Sequence, residues 1–148
     1  SRRLQQAAQQ RRPICAVMLD IDRFKPINDR YGHAVGDEVL VVVARRLNRG
    51  LSDSDILARY GGEEFAVLLP DTTLEQGRRI AERLRQSVGA SPVKTSIGAL
   101  QVTVSIGVTE RDTSIVDLAH LLERADHGML AAKRDGRDQV IAVEGQLA

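Results

Sequence analysis

The sequence has very little of what marks secreted or membrane-spanning chains. It contains one cysteine, Cys15, so an intramolecular disulfide is excluded, and the apolar run ICAVML around it favours a buried thiol in a reducing compartment. Its longest uncharged apolar run, VLVVVA at residues 39–44, is far shorter than the ~20 residues that a membrane helix needs. These absences predict a soluble, cytoplasmic domain that makes no membrane contact itself.

The chain also lacks an excess of charge of either sign. Lysine and arginine number 21 against 20 aspartates and glutamates, which gives a formal net charge of +1. Such a balance produces no summed field that would attract nucleic acid or an anionic membrane. Recognition must therefore come from a local site, and 148 residues suffice for one domain with a substantial core.

Hydrophobic periodicity and turn residues predict alternating helices and strands. The Gln-rich opening suits a helix or linker over residues 1–13 that stops at Pro13, and residues 14–148 form the folded domain. ICAVMLD predicts a buried strand ending near Asp20. A short helix follows, with Asp22 as its N-cap and Gly32 as its stop, and a second helix covers residues 36–50.

The second half of the chain continues this alternation. DILARY and EFAVLLP predict two strands joined by Gly61-Gly62, a pair that accepts the positive φ angles of a tight hairpin turn. LEQGRRIAERLRQSV predicts a helix, ALQVTVSIGVTE a strand, VDLAHLLERADHGMLAAKRDG a helix and QVIAV a last strand, with residues 89–98 as the most loop-like segment. The order α, β, α, α, β, β, α, β, α, β predicts one α+β domain.

Three carboxylates gather in this predicted arrangement. If ICAVMLD pairs alongside the hairpin, Asp20 shares one rim of the sheet with Glu63 and Glu64 of RYGGEEFAVLLP. Two carboxylates about 4 Å apart repel by roughly 4 kcal/mol at an effective dielectric near 20, so the cluster has a raised pKa or binds a cation such as Mg²⁺. For GGEE alone, an ordinary turn with solvated glutamates fits equally well.

The neighbouring motifs decide between these readings. The segment DIDRFKPINDRYGHAVGDEVL, residues 20–40, is followed by RYGGEEF, VTVSIGV and AAKRDGR. From about Ile14 to Val143 this succession resembles the GGDEF family of diguanylate cyclases. The resemblance is specific because several separated motifs occur in the family's order.

The resemblance implies a fold and an activity. The fold is a ferredoxin-like βαββαβ core of the nucleotidyl-cyclase and polymerase-palm type, with a central, mostly antiparallel sheet and flanking helices, over residues 14–148 as the catalytic domain. The activity condenses two GTP molecules into cyclic di-GMP plus pyrophosphate, with two Mg²⁺ ions per active site and Mn²⁺ as the alternative metal. A two-fold homodimer is required, and an upstream sensory or receiver domain, or a membrane anchor, is expected in the full-length protein.

The resemblance also assigns roles by position. The metal ligands are Asp20, the carbonyl of Ile21, Glu63 and Glu64; Glu63 serves as general base and Lys25 assists catalysis. Guanine is read by Asn28 and Asp37, and the phosphates are contacted by Lys25, Lys133 and Arg137, while the remaining substrate-site residues are Phe24, His33, Gly61 and Gly62.

Plainer roles are available for several of these side chains. A carboxylate at Asp37 can accept two donors of guanine that adenine lacks, yet it also complements a helix dipole. His33 fits a structural role, the lysines fit a solvated surface, and Phe24 and Phe65 fit the core. The site hypothesis depends on the tertiary structure bringing these residues together.

The chain departs from the family pattern in three places. The product-inhibition motif R-x-x-D reads SDSD here, so Ser52 stands where arginine is expected and Asp55 is left with a structural role. Leu130 replaces the usual tyrosine and Asp138 the usual asparagine, which affects packing. We expect weak or absent product inhibition. Two alternatives remain: a catalytically silent module that senses GTP or cyclic di-GMP, and a purely dimerising output domain.

Overall fold

The computed structural model describes residues 12–145, and the helix predicted before Pro13 lies outside the described residues. The first strand is β1 (Ile14–Ile21), and two helices follow it, α1 (Phe24–Tyr31) and α2 (His33–Arg49). The hairpin and the next helix are β2 (Ile56–Arg59), β3 (Glu64–Pro70) and α3 (Leu74–Gly89). The remaining elements are β4 (Val93–Thr95), β5 (Gly98–Leu100), β6 (Val104–Glu110), α4 (Leu118–Arg134) and β7 (Val140–Val143).

A five-stranded sheet in the order β2-β3-β1-β6-β7 forms the centre of the fold. Strand β1 pairs antiparallel with β3 and with β6, β2 pairs antiparallel with β3, and only the β6–β7 pair of this sheet is parallel. Helices pack on both faces. The predicted α+β fold with a mostly antiparallel central sheet is confirmed.

Strand β1 separates two apolar clusters by the alternation of its side chains. Its even-numbered residues Ile14, Ala16 and Met18 pack with residues of α4, whereas Val17 and Leu19 pack in the larger cluster with α2 and α3. Because successive strand side chains point to opposite faces, Asp20 continues the face that α4 covers. All eight residues of β1 are buried, which explains why the segment reads as a continuous apolar run until its end.

One local prediction at the end of β1 was wrong. Asp22 does not cap α1: the N-cap is Arg23, in the left-handed region with φ 57° and without a side-chain cap bond. The carboxylate of Asp22 instead accepts hydrogen bonds from Thr103, Ser105 and Asp138. The Asp22 side chain therefore binds donors that are distant in sequence and does not cap the helix. Sequence spacing alone does not reveal these donors.

The loop predicted at residues 89–98 contains short strands. β4 and β5 form a separate two-stranded sheet joined by a turn at Ser96 and Ile97. Gly98, at the start of β5, has a φ of 122°, which suits glycine. The predicted strand ALQVTVSIGVTE is accordingly split between β5 and β6. Buried Val93 ties the small sheet to the main core.

The buried-thiol prediction is confirmed. Cys15 is fully buried, its Sγ lies 3.3 Å from the Thr72 carbonyl oxygen, and burial raises the pKa of the thiol to about 12. No helix in the described range 12–145 is long and apolar enough to cross a membrane.

Close contact between β6 and α4 generates the first prediction. A Cβ added at Gly107 would overlap the backbone of α4 at Ala125 and Met129, so Gly107→Ala must displace that helix. We expect a loss of unfolding free energy of about 3 kcal/mol, at the upper end of overpacking effects, measured by urea denaturation. Gly89→Ala is the control, because its Cβ would meet only ordinary contacts at 3.8 Å and 3.9 Å. Equal stability of the two variants would contradict the prediction.

Candidate active site

A cavity of about 550 Å³ opens between α1, α2 and the β2–β3 hairpin. It brings together many of the predicted site residues with three residues that sequence reasoning missed. The predicted residues in its wall are Phe24, Lys25, Asn28, His33, Asp37, Gly62, Glu63 and Glu64. The additional ones are Asp29, Leu40 and Arg59.

The side chain of Arg59 forms hydrogen bonds to the carbonyl oxygens of the hairpin turn at Gly61-Gly62. Its Nε donates to the Gly62 carbonyl oxygen at 3.1 Å and its Nη2 to the same oxygen at 2.6 Å, while Gly61 O is 3.3 Å from Nε. Neither glycine adopts the positive φ that the sequence predicted. The glycines provide room instead: a Cβ at Gly62 would meet nothing within 4 Å, and one at Gly61 would lie 3.0 Å from Glu64 Oε1.

The carboxylates of Asp20, Glu63 and Glu64 lie close together at the end of β1. Asp20 is directly opposite Glu64 in the β1–β3 register, and the Ile21 N–H donates to the Glu63 carbonyl oxygen at 3.2 Å. Burial and the charge of Asp20 raise the pKa of Glu63 and of Glu64. Burial also raises the pKa of Asp20, against the opposing effect of Lys133. The predicted rim of carboxylates is therefore present.

Two α4 residues face this rim. Lys133 Nζ lies 3.0 Å from Asp20 Oδ2, and the Asp20 side chain is only 7% exposed. Asp126, two helical turns before Lys133, adds negative charge that raises the pKa of Asp20 and Glu64. The sequence analysis missed Asp126, although its seven-residue separation from Lys133 places both on one helix face.

The donor set fits a divalent cation. Asp20 Oδ1 is buried without a hydrogen-bond partner in the described residues, which leaves an oxygen available for a hard metal ion. Within residues 12–145, no group of three His, Cys, Asp or Glu side chains already converges on one point. Glu63 and Glu64 are half-buried, and Glu64 is paired opposite Asp20. The carboxylates are assembled by the fold, and cation binding would complete their convergence.

The opposite wall of the cavity has the chemistry to bind a base. Asn28 Oδ1 is buried and has no partner among the described residues. A Cβ at Gly36 would overlap this oxygen, so glycine is needed where α2 passes Asn28. Asp37 and His33 are exposed on the same wall. An unpaired acceptor beside an exposed carboxylate suits a ligand with several N–H donors.

Of the three predicted phosphate contacts, Lys25 lies in the cavity wall, whereas Lys133 and Arg137 do not. Lys25 is exposed and pairs with Asp29 at 2.9 Å, one helical turn away. Lys133 binds Asp20, and Arg137 lies in the loop after α4, with φ 67°. Neither Lys133 nor Arg137 is among the cavity-lining residues, so the cavity alone does not assemble the three cations.

The SDSD segment forms a self-contained turn. Asp55 Oδ2 accepts from the Ser52 N–H at 2.8 Å and from the Ser52 hydroxyl at 3.0 Å. The side chain of Asp55 thus has a local structural partner, which agrees with the role expected for it.

Comparisons with known proteins agree with this geometry. The family model described as diguanylate cyclase, GGDEF domain, matches residues 1–139. Diguanylate cyclase DgcP of Pseudomonas aeruginosa is 43% identical over 86% of this chain, and response regulator PleD of Caulobacter vibrioides is 47% identical over 87%. The chain spans 19% of the length of DgcP and 29% of that of PleD.

A solved structure shows the same fold. The active GGEEF domain of a diguanylate cyclase from Vibrio cholerae superposes with a TM-score of 0.88 at 33% identity. The match covers 95% of this chain and 89% of that domain.

The carboxylate cluster generates a pH-dependent stability prediction. Because the folded-state pKa of Glu64 is raised, its stabilising contribution is present at low pH and is lost as the pH rises through that pKa. Below pH 4.5, the ordinary glutamate pKa, the Glu64→Gln variant should have the same free energy of unfolding as the wild type. At pH 7 in EDTA, its free energy of unfolding should be higher than that of the wild type by roughly 0.5 kcal/mol. Urea denaturation at both pH values measures this difference.

Magnesium should reverse the order. Added MgCl₂ should stabilise the wild type more than Glu64→Gln, because the variant lacks one carboxylate of the cluster. Glu123→Gln, at an exposed position on α4, is the matched control and should behave as the wild type at both pH values. A Glu64→Gln variant less stable than the wild type in EDTA at pH 7 would contradict the prediction.

Proposed function

Since the chain belongs to the GGDEF family, we propose that it is the catalytic domain of a diguanylate cyclase. It condenses two GTP molecules into cyclic di-GMP and releases two pyrophosphates. The observation that supports this most directly is the carboxylate cluster of Asp20, Glu63 and Glu64 at one end of a cavity whose other wall has the acceptors Asn28 and Asp37. The carboxylate cluster would hold the metal ions that bind the triphosphate, and the acceptors on the other wall would bind the guanine of the same nucleotide.

Each half-reaction is a phosphoryl transfer. The 3′-hydroxyl oxygen of one GTP forms a bond to the α-phosphorus of the other, the α–β bridging bond breaks, and pyrophosphate leaves. The proton of the 3′-hydroxyl goes to Glu63, whose pKa is raised by burial and by the charge of Asp20. Lys25 assists by offsetting phosphate charge from the cavity wall.

The metal site of this proposal consists of Asp20, the carbonyl of Ile21, Glu63 and Glu64. Bound Mg²⁺, or Mn²⁺ in its place, two ions per site, supplies charge stabilisation at the reacting phosphate. The residues themselves hold the site in register: Asp20 is fixed at the end of buried β1, and Glu64 is paired opposite it. Lys133 balances the charge of Asp20 and, with Arg137, is proposed to contact the phosphates.

Guanine selectivity is assigned to Asn28 and Asp37. Guanine offers a ring N–H and an exocyclic amine on one edge, which a carboxylate and an amide oxygen can accept, whereas adenine presents no such pair. Asn28 Oδ1 is buried without a hydrogen-bond partner in the part of the chain that the structure describes. A base that donates a hydrogen bond to this oxygen removes the cost of the unpaired acceptor, which favours guanine over adenine.

One cavity holds one nucleotide, so the reaction requires two copies facing each other across a two-fold axis. We propose that an upstream sensory or receiver domain controls this pairing, with residues 1–13 as the connecting segment and residues 14–148 as the catalytic domain.

The test is turnover in a forced dimer. The chain, fused at its N-terminus to a dimerising coiled coil, is incubated with GTP and Mg²⁺, and cyclic di-GMP is quantified by chromatography. We expect product from GTP and none from ATP, and a loss of about 100-fold or more in Glu63→Gln, which removes the base while preserving shape. Glu123→Gln should retain full activity.

The alternatives give different outcomes. Tight GTP binding without product in a proven dimer would favour a catalytically silent sensing module. Equal binding of GTP and ATP would favour a domain that only dimerises. Product formation that survives Glu63→Gln would exclude Glu63 as the base.

Ser52 lies where the family's product-inhibition motif has an arginine. Ser52 cannot supply the bidentate fork by which an arginine binds phosphate or guanine. We expect cyclic di-GMP, added to the forced dimer, to inhibit weakly, and Ser52→Arg to lower the inhibitory concentration at least tenfold. Ser54→Arg, two residues away in the same turn, is the matched control. Strong inhibition of the unsubstituted chain would contradict the prediction.

A further inference from the structure

The buried carboxylate of Asp22 joins three segments of the chain. Its Oδ1 accepts from the Ser105 hydroxyl at 2.6 Å, and its Oδ2 accepts from the Thr103 hydroxyl at 2.7 Å and from the Asp138 N–H at 3.0 Å. The residue is only 5% exposed. These bonds link the end of β1, the start of β6 and the loop that follows α4.

The loop after α4 has a conformation that needs such support. Three successive residues, Gly136, Arg137 and Asp138, have φ angles of 118°, 67° and 49°, and two of them are not glycine. Left-handed φ at non-glycine residues is unfavourable and persists only where the surroundings fix it. The Arg137 N–H donates to the Ala132 carbonyl oxygen at 2.9 Å, and Asp22 holds the next N–H along the chain.

The side chain of Asp138 is anchored as well. Its Oδ1 accepts from Arg85 Nη1 at 2.7 Å, and Arg85 is in turn paired with Glu82 on α3. Asp138 is thus held through its backbone by β1 and through its carboxylate by α3. Arg137, between the Ala132 and Asp22 anchors, has little backbone freedom left.

Residues at the end of β1 and just after it therefore hold both Lys133 and the backbone beside Arg137. Asp20 binds Lys133 directly, and Asp22, two residues later, fixes the backbone beside Arg137. We infer that Asp22 is a positioning residue: it holds the loop that carries Arg137 so that its guanidinium is presented to the substrate triphosphate. This inference rests on the proposed function, since it requires a phosphate ligand at Arg137.

A double-mutant cycle of binding tests this role. The ligand is the α,β-methylene analogue of GTP, which cannot release pyrophosphate, and GMP serves as the probe without β- and γ-phosphates. Asp22→Asn keeps the size of the side chain, but its amide NH₂ cannot accept a hydrogen bond and the negative charge that the three donors bind is lost. We expect its Kd for the triphosphate to rise about tenfold, the value of one charged phosphate contact, with the Kd for GMP changing less than twofold.

The cycle separates positioning from general destabilisation. Arg137→Ala alone should raise the triphosphate Kd about tenfold, and Asp22→Asn combined with Arg137→Ala should raise it no further, because both changes remove one contact. Thr103→Val is the matched control: it deletes another hydrogen bond to Asp22 Oδ2 and leaves Asp138 held. Its triphosphate Kd should stay within twofold of the unsubstituted chain.

Three outcomes would overturn the inference: an unchanged Kd in Asp22→Asn, an independent tenfold effect on top of Arg137→Ala, or an equal loss in Thr103→Val. If the unsubstituted chain does not prefer the triphosphate to GMP, the proposed function fails and the role of Asp22 fails with it. If Asp22→Asn does not fold, amide exchange in the unsubstituted chain decides. Strong protection of the Asp138 N–H is expected, and exchange as fast as at the exposed Gly136 N–H would overturn the inference.

Discussion

Negative charge at the buried end of β1 is the constraint on which the rest of this structure depends. Asp20 lies near the end of buried β1, Asp22 directly follows that strand, and Glu64 is paired opposite Asp20. Carboxylates in such a place need hydrogen-bond donors or cations, because burial penalises their charged form. Donors reach this corner from several segments: α4 offers Lys133, Thr103 and Ser105 offer hydroxyls, and the loop after α4 offers the Asp138 N–H.

Asp20 and Asp22 meet this requirement in different ways. All three hydrogen bonds of Asp22 come from within the fold, which makes it a structural anchor. Asp20 has one oxygen paired with Lys133 and the other without a partner in the described residues. That difference separates a residue that orders the protein from one that remains available to a ligand. The two roles are only two positions apart in the chain, at the end of β1 and just after it.

The helices matter to the site mainly through their spacing. α4 can lie directly on β6 because Gly107 and Gly128 leave out the side chains that would separate them, and this close approach brings Lys133 to Asp20. On the other side, Gly36 lets α2 pass the side chain of Asn28. Close backbone packing thus sets both the position of the Lys133 cation and the buried position of the Asn28 oxygen.

The sequence by itself determined the sheet-forming segments, the α+β class and the acid cluster, because period-two apolar runs, turn glycines and separated motifs are local signals. It did not reveal the destination of Asp22, the support of the glycine turn by Arg59, the exposure of Asp126 to the cluster or the β4–β5 hairpin. The destination of Asp22 and the approach of Asp126 to the cluster depend on residues far apart in the chain, such as Asp22 and Asp138, whereas the Arg59 bonds and the β4–β5 hairpin are local contacts. Only the tertiary structure decides which donor reaches a buried carboxylate, since a local pattern cannot rank partners that the fold has yet to bring together.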